Sequence, residues 1–219
     1  MSKKGLIYIM DMESSLADAL SRRIQDMGQY QVFHKWDMEI DATAMVTACK
    51  DELKGIIFSG SGKNVNGKKH KPPKIPLELV DTGVPILGIC YGMQYIAHLH
   101  GKKIVRCWEE LNPIRRNRKK DKGEQGPTLL KLTEEGKNSI LFRGLGDTFP
   151  VWMKHRFMVD ELPEGWTKTA GTRRCPIGAM EKNNLFAVQF HPEPYNSLFG
   201  RTVLHNFLTY ACGVKTPYF

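Results

Sequence analysis

No apolar run in this chain approaches the roughly 20 residues that a membrane helix needs, which excludes a bilayer-spanning reading. Cysteine is sparse: five residues, scattered and odd in number, with no CxxC pair. That argues against a disulfide framework and against a thiolate metal site, so no metal is expected, and a reducing cytoplasm is the natural compartment. Lys3 and Lys4 precede an apolar patch, but Leu6–Met10 is too short for a signal-peptide core and meets Asp11 at once. No internal repeat and no linker divides the chain, so its 219 residues read as one α/β domain with a substantial core. Acid is also scarce, with 23 Asp and Glu against 32 Lys and Arg, a net charge of +9.

That excess is clustered. Lys63, Lys68, Lys69, Lys71 and Lys74 form one group; Arg115, Arg116, Arg118, Lys119, Lys120 and Lys122 form another. Neither is interleaved with aromatics or lies on a nucleic-acid motif, so both read as solvated loops first and as a docking face for an acidic partner second.

The first half alternates strand-like and helix-like runs. Leu6–Met10 is apolar enough for a buried strand. Leu16, Ala19, Leu20, Ile24 and Met27 then recur at helical spacing, up to a stop at Gly28. Tyr30–His34 and Gly55–Phe58 read as further strands, with Ala42–Cys49 and Leu77–Thr82 as helices and 63–74 as a mobile basic loop. This regularity predicts an open, mostly parallel, doubly wound sheet. Lys103–Trp108 continues the strand pattern, and 111–126 is a charged insertion. Thr128–Leu132, Thr148–Val159, Trp166–Gly171, Gly178–Glu181 and Leu185–Phe190 then read as antiparallel strands packed onto that sheet. An amphipathic helix over Val203–Ala211 closes the chain.

The chemistry gathers at Gly83-Val84-Pro85-Ile86-Leu87-Gly88-Ile89-Cys90-Tyr91-Gly92-Met93-Gln94. A short apolar strand runs straight into a cysteine bracketed by Gly88 and Gly92, and a helix follows. A lone cysteine in an apolar run is ordinarily a core residue. Small residues two positions to either side are instead what a tight strand-to-helix elbow needs to push a nucleophile out over the end of a sheet. The helix N-terminus aimed at the sulfur favours thiolate. Downstream, Val188-Gln189-Phe190-His191-Pro192-Glu193 ends a strand in an imidazole, with a carboxylate two residues on across a proline. Cysteine nucleophile, histidine base and an orienting carboxylate form a triad, Cys90–His191–Glu193.

These two motifs resemble the class I (triad-type) glutamine amidotransferases. Tyr91 after the nucleophile, Val151-Trp152-Met153-Lys154-His155 and Cys175-Pro176-Ile177-Gly178-Ala179-Met180 are most similar to the glutaminase part of GMP synthase. The resemblance implies a flavodoxin-like fold over a single glutaminase domain, residues 1–219. It also implies glutamine hydrolysis through a glutamyl thioester on Cys90, with ammonia passed to an ATP-pyrophosphatase synthetase. ATP and magnesium would belong to that partner, with no cofactor in this chain. The backbone N–H groups of Tyr91 and Ser61 would form the oxyanion hole. Gly60, Gln94, Met153, Lys154 and His155 would meet the substrate, His155 as a lid residue.

The sequence departs from the family in places. Ser59-Gly60-Ser61-Gly62 stands where Ser-Gly-Gly-Pro is usual, which implies a loop that is mobile until a partner docks. Lys154-His155-Arg156-Phe157 replaces Ser-His-Gly-Asp. The chain stops at Phe219 without room for a synthetase domain, so the synthetase is expected as a separate chain. Two other readings are a stand-alone γ-glutamyl hydrolase and a non-catalytic binding protein using its basic loops on nucleic acid. His98 and His100 read as structural, and Cys49, Cys107, Cys175 and Cys212 as core or incidental residues.

Overall fold

Alternation within the central strands dictates the layering. In Leu6–Asp11 (β1), Ile7 and Ile9 point to one face while Tyr8 and Met10 point to the other, and all four are buried. Leu53–Phe58 (β3) and Ile86–Ile89 (β4) divide in the same way, Ile57, Leu87 and Ile89 against Ile56, Phe58 and Ile86. Strands apolar on both sides need cover on both sides. Ala17–Asp26 (α1) brings Leu20 and Ile24 to the first face, joined by Val203, Leu204, Phe207 and Leu208 from the C-terminal helix. Tyr91–Leu99 (α2) lays Met93, Tyr95, Ile96 and Ala97 on the second. The computed structural model describes residues 5–28, 30–35, 52–67, 83–107 and 123–216. The helices expected over 42–49 and 77–82, loop residues 68–74, most of the basic insertion and Cys49 lie outside them.

After β1, Tyr30–Lys35 (β2) pairs with it in parallel, and Ile104–Arg106 (β5) follows α2. The second half runs Glu124–Leu132 (β6), Glu134–Lys137 (α3), Thr148–His155 (β7), Phe157–Val159 (β8), Thr167–Gly171 (β9), Ala179–Lys182 (β10), Leu185–Val188 (β11) and Gly200–Asn206 (α4). The α4 axis continues as a π-helical turn over Phe207–Ala211. Nine strands form one sheet in the order β2-β1-β3-β4-β11-β10-β9-β6-β7, and β5 pairs with β8 apart from it.

The first five strands of that order are parallel, as the pattern predicts, but the last of them, β11, comes from the end of the chain. The antiparallel strands do not pack onto the parallel block; they extend it edgewise. Asn183 and Asn184 alone link β10 to β11, with Asn183 at φ 52°, and a two-residue hairpin can only lay its strands side by side. Two boundaries also shift. β6 begins at Glu124, inside the stretch read as a charged insertion, and Arg156 breaks the long strand expected over 148–159, so that β8 turns away to pair with β5.

Candidate active site

Cys90 sits at the turn between β4 and α2 with φ 52° and ψ −101°, a conformation few non-glycine residues adopt. Its N–H donates to Val188 O at 2.7 Å, tying the elbow to the strand that leads to His191. The bracketing glycines are required by close approach. A Cβ on Gly92 would lie 2.4 Å from Phe58 O, and one on Gly88 would lie 2.8 Å from the Gly92 carbonyl carbon. The Gly92 N–H donates to Ser59 O at 3.1 Å, so the elbow is bonded to the loop that follows β3. The sulfur is 3.8 Å from Lys154 O, and Cys90 is only 3 % exposed.

β11 delivers His191, whose N–H donates to Trp152 O at 2.8 Å and so holds the segment against β7. His191 Nδ1 lies 2.7 Å from Glu193 Oε1, and both side chains are buried. Donation from Nδ1–H to the carboxylate leaves Nε2 as the ring nitrogen open to a reacting group. Burial pushes the imidazole toward neutrality. The charges of Glu193 and of a Cys90 thiolate, with hydrogen bonds from both, outweigh it and raise His191 well above its ordinary value. Arg23 of α1 donates from Nε to Glu193 O at 3.2 Å and lays its guanidinium over the Tyr195 ring, which fixes the turn after His191.

The loop Ser59–Gly62 lies beside this pair. A Cβ on Gly60 would come within 2.8 Å of His191 Cε1, so the space read as a substrate contact borders the imidazole. Ser59 Oγ donates to Asp11 Oδ1 and accepts from the Met12 N–H. Ser61 Oγ accepts from the Lys63 N–H at 3.1 Å, and Lys63 pairs with Glu13. The side chain that replaces the family's glycine therefore folds back along the loop. The Tyr91 ring is buried and stacked on Tyr95, and burial raises its phenol further from ionisation, so only its backbone is at the elbow.

The remaining candidates divide. Gln94 lies one turn along α2, its N–H donating to Cys90 O. Its side-chain amide donates to Phe157 O at 2.7 Å and to Gln189 Oε1 at 3.1 Å. Lys154 is exposed, its ammonium reaching Ser15, while its carbonyl faces the Cys90 sulfur. Met153 is buried in the core. The His155 ring, read as a lid residue, is 1 % exposed and lies 3.3 Å from Glu124 Oε2, turned into the fold. The reason is β7's alternation, which sends residues 153 and 155 inward and 152 and 154 outward. His98 and His100 lie in the last turn of α2 and just beyond it, with His100 packed on Trp166. Cys175 and Cys212 are buried thiols whose ionisation burial opposes. Sequence reasoning missed Arg23, Glu124 and Gln189. Glu124 fell within the stretch read as a charged insertion, and the alternation that puts it inside only appears once β6 is extended back to it.

A family model described as glutamine amidotransferase class-I matches residues 8–211. The chain is 34 % identical over 211 residues to GMP synthase (glutamine-hydrolyzing) of Lactobacillus johnsonii, covering 95 % of this chain and 37 % of that one. It is 35 % identical over 211 residues to the Vibrio atlanticus protein of the same description, covering 95 % and 36 %. The chain thus spans little more than a third of the length of these relatives. Among solved structures, a protein from Thermoplasma acidophilum assigned as one subunit of a GMP synthase superposes with a TM-score of 0.78. It is 24 % identical, over 97 % of this chain and 96 % of that one. A glutamine amidotransferase from Thermotoga maritima gives 0.70 at 14 % identity, over 96 % and 99 %.

Proposed function

The chain belongs to the class I glutamine amidotransferase family, and on that footing we propose that it hydrolyses the side-chain amide of L-glutamine at Cys90 and supplies the ammonia to a synthetase acting with it. The observation that carries this reading is the buried His191–Glu193 pair at 2.7 Å beside a thiol held on a glycine-bracketed elbow.

In this mechanism the Cys90 thiolate attacks the amide carbon, and the negative charge that develops on oxygen is met by the N–H groups of Tyr91 and Ser61. Donors of this kind each lower a barrier by about 3 kcal/mol. His191, already carrying the proton, gives it to the departing nitrogen, so ammonia leaves and a γ-glutamyl thioester remains. His191 then takes a proton from water as the hydroxyl attacks the thioester. Glutamate departs and the thiolate–imidazolium pair is restored, so one water is consumed for each ammonia released. Glu193 holds the ring's tautomer throughout.

The acceptor proposed for the ammonia is an adenylylated nucleotide such as that formed from XMP, on an ATP-pyrophosphatase synthetase that holds the ATP and magnesium. This rests on the GMP synthase descriptions of the relatives. The altered residues 156–157 reach Gln94 through the Phe157 carbonyl. Mixing the chain with such a synthetase, ATP and XMP tests the proposal. Glutamine-dependent GMP formation that Cys90→Ala abolishes supports it, and failure of glutamine to replace ammonium salts as nitrogen source refutes it.

A further inference from the structure

A second buried carboxylate–imidazole pair lies behind the first. His155 Nε2 is 3.3 Å from Glu124 Oε2. Thr172 Oγ1 donates to the Glu124 carboxylate at 3.0 Å, and Arg174 Nη1 donates to the Gly123 carbonyl next to it. The other ring nitrogen, Nδ1, is 3.0 Å from Phe157 O, to which it donates, with Cys107 Sγ at 3.3 Å. Phe157 O also accepts from Gln94 Nε2 at 2.7 Å. One carbonyl oxygen therefore joins the Glu124–His155 pair to a side chain one turn from the nucleophile. Gln94 spends its amide protons on Phe157 O and Gln189 Oε1, so its carbonyl oxygen is the part left for a substrate.

We propose that Glu124 and His155 are positioning residues for glutamine recognition, holding the Phe157 carbonyl so that Gln94 presents its side-chain oxygen to the substrate's ammonium. This rests on the glutaminase reading above. Without the His155 proton, Phe157 O is free to shift, and the Gln94 amide can turn over and present donors to a cation. The pair acts through Phe157 and Gln94, not on the thiol. The Arg-Phe departure at 156–157 is then tolerated because position 157 contributes a carbonyl, which every residue has.

The test compares two labels on Cys90 in the purified chain: a diazo-ketone analogue of glutamine, which needs amino-acid recognition, and iodoacetamide, which does not. His155→Leu and Glu124→Gln are expected to slow the analogue about tenfold or more while leaving iodoacetamide within about twofold. His155→Asn, whose amide nitrogen takes the place of Nδ1, should recover most of the rate. In a Gln94→Ala background His155→Leu should cost nothing further. Equal slowing of both labels, no recovery with His155→Asn, or an undiminished effect in the Gln94→Ala background each overturns the proposal. A wild-type chain that takes iodoacetamide on Cys90 and never the analogue, both alone and with an ATP-pyrophosphatase synthetase, ATP and XMP, overturns the glutaminase reading itself. Thr172→Val, a milder change outside the pair, gives an intermediate slowing of the analogue if the pair positions Gln94, and no slowing if it does not.

Discussion

Gly92 and Gly60 are constrained by different neighbours, and the two should fail differently when a methyl group is added. A Cβ on Gly92 would meet the Phe58 carbonyl oxygen at 2.4 Å, backbone in a central strand that cannot yield. Gly92→Ala is expected to lower stability by about 1–3 kcal/mol, read as a shift in urea midpoint. A Cβ on Gly60 would meet the His191 ring, and the Ser14 hydroxyl at 3.4 Å. Gly60→Ala should therefore keep most of its stability and lose about a hundredfold in glutamate release, because the imidazole is pushed from the sulfur. The same imidazole makes a pH prediction. Its folded value is raised above its unfolded one, so the stability it contributes is complete below about pH 6.5 and fades as pH climbs through the folded value. The stability gap between the wild type and His191→Gln should be wider at pH 6 than at pH 9 in urea titrations. A gap that widens with pH would contradict the assigned ion pair.

At the scale of elements, the site is a meeting of the β4–α2 elbow, the end of β11 and the last residues of β7, with α1 bracing the turn after His191. Arg23 supplies that brace through the Glu193 carbonyl and the Tyr195 ring. Arg23→Ala is expected to lower kcat for glutamine by about three- to tenfold with KM little changed, since one hydrogen bond of about 1 kcal/mol orients the base and touches no substrate. Steady-state kinetics of glutamate release check this. The elbow was legible in the sequence because its glycines, apolar strand and helix are contiguous. The Cys90–His191 approach was legible only as a pairing of motifs, since the parallel β4–β11 contact that creates it joins segments far apart in the chain. The inward turn of Met153 and His155 was not legible, because it depends on the register of β7 against β6, and that in turn on where β6 begins.

For the whole molecule, the strand–helix alternation of the first half was enough to give a parallel, doubly wound centre. The second half's placement depended on a two-residue asparagine turn that the pattern of short strands did not single out. Both faces of the central strands are covered, and the ends of β4 and β11 meet at one side of the sheet, where open α/β sheets bind their ligands. Glutamate release by the purified chain acting on L-glutamine, with and without an ATP-pyrophosphatase synthetase and XMP, tests the central claim most directly when set beside Cys90→Ala. The account predicts release in at least one of these conditions, reduced by about a thousandfold or more in the variant. Release that persists in Cys90→Ala, or a wild-type chain that yields no glutamate in either condition, would contradict it.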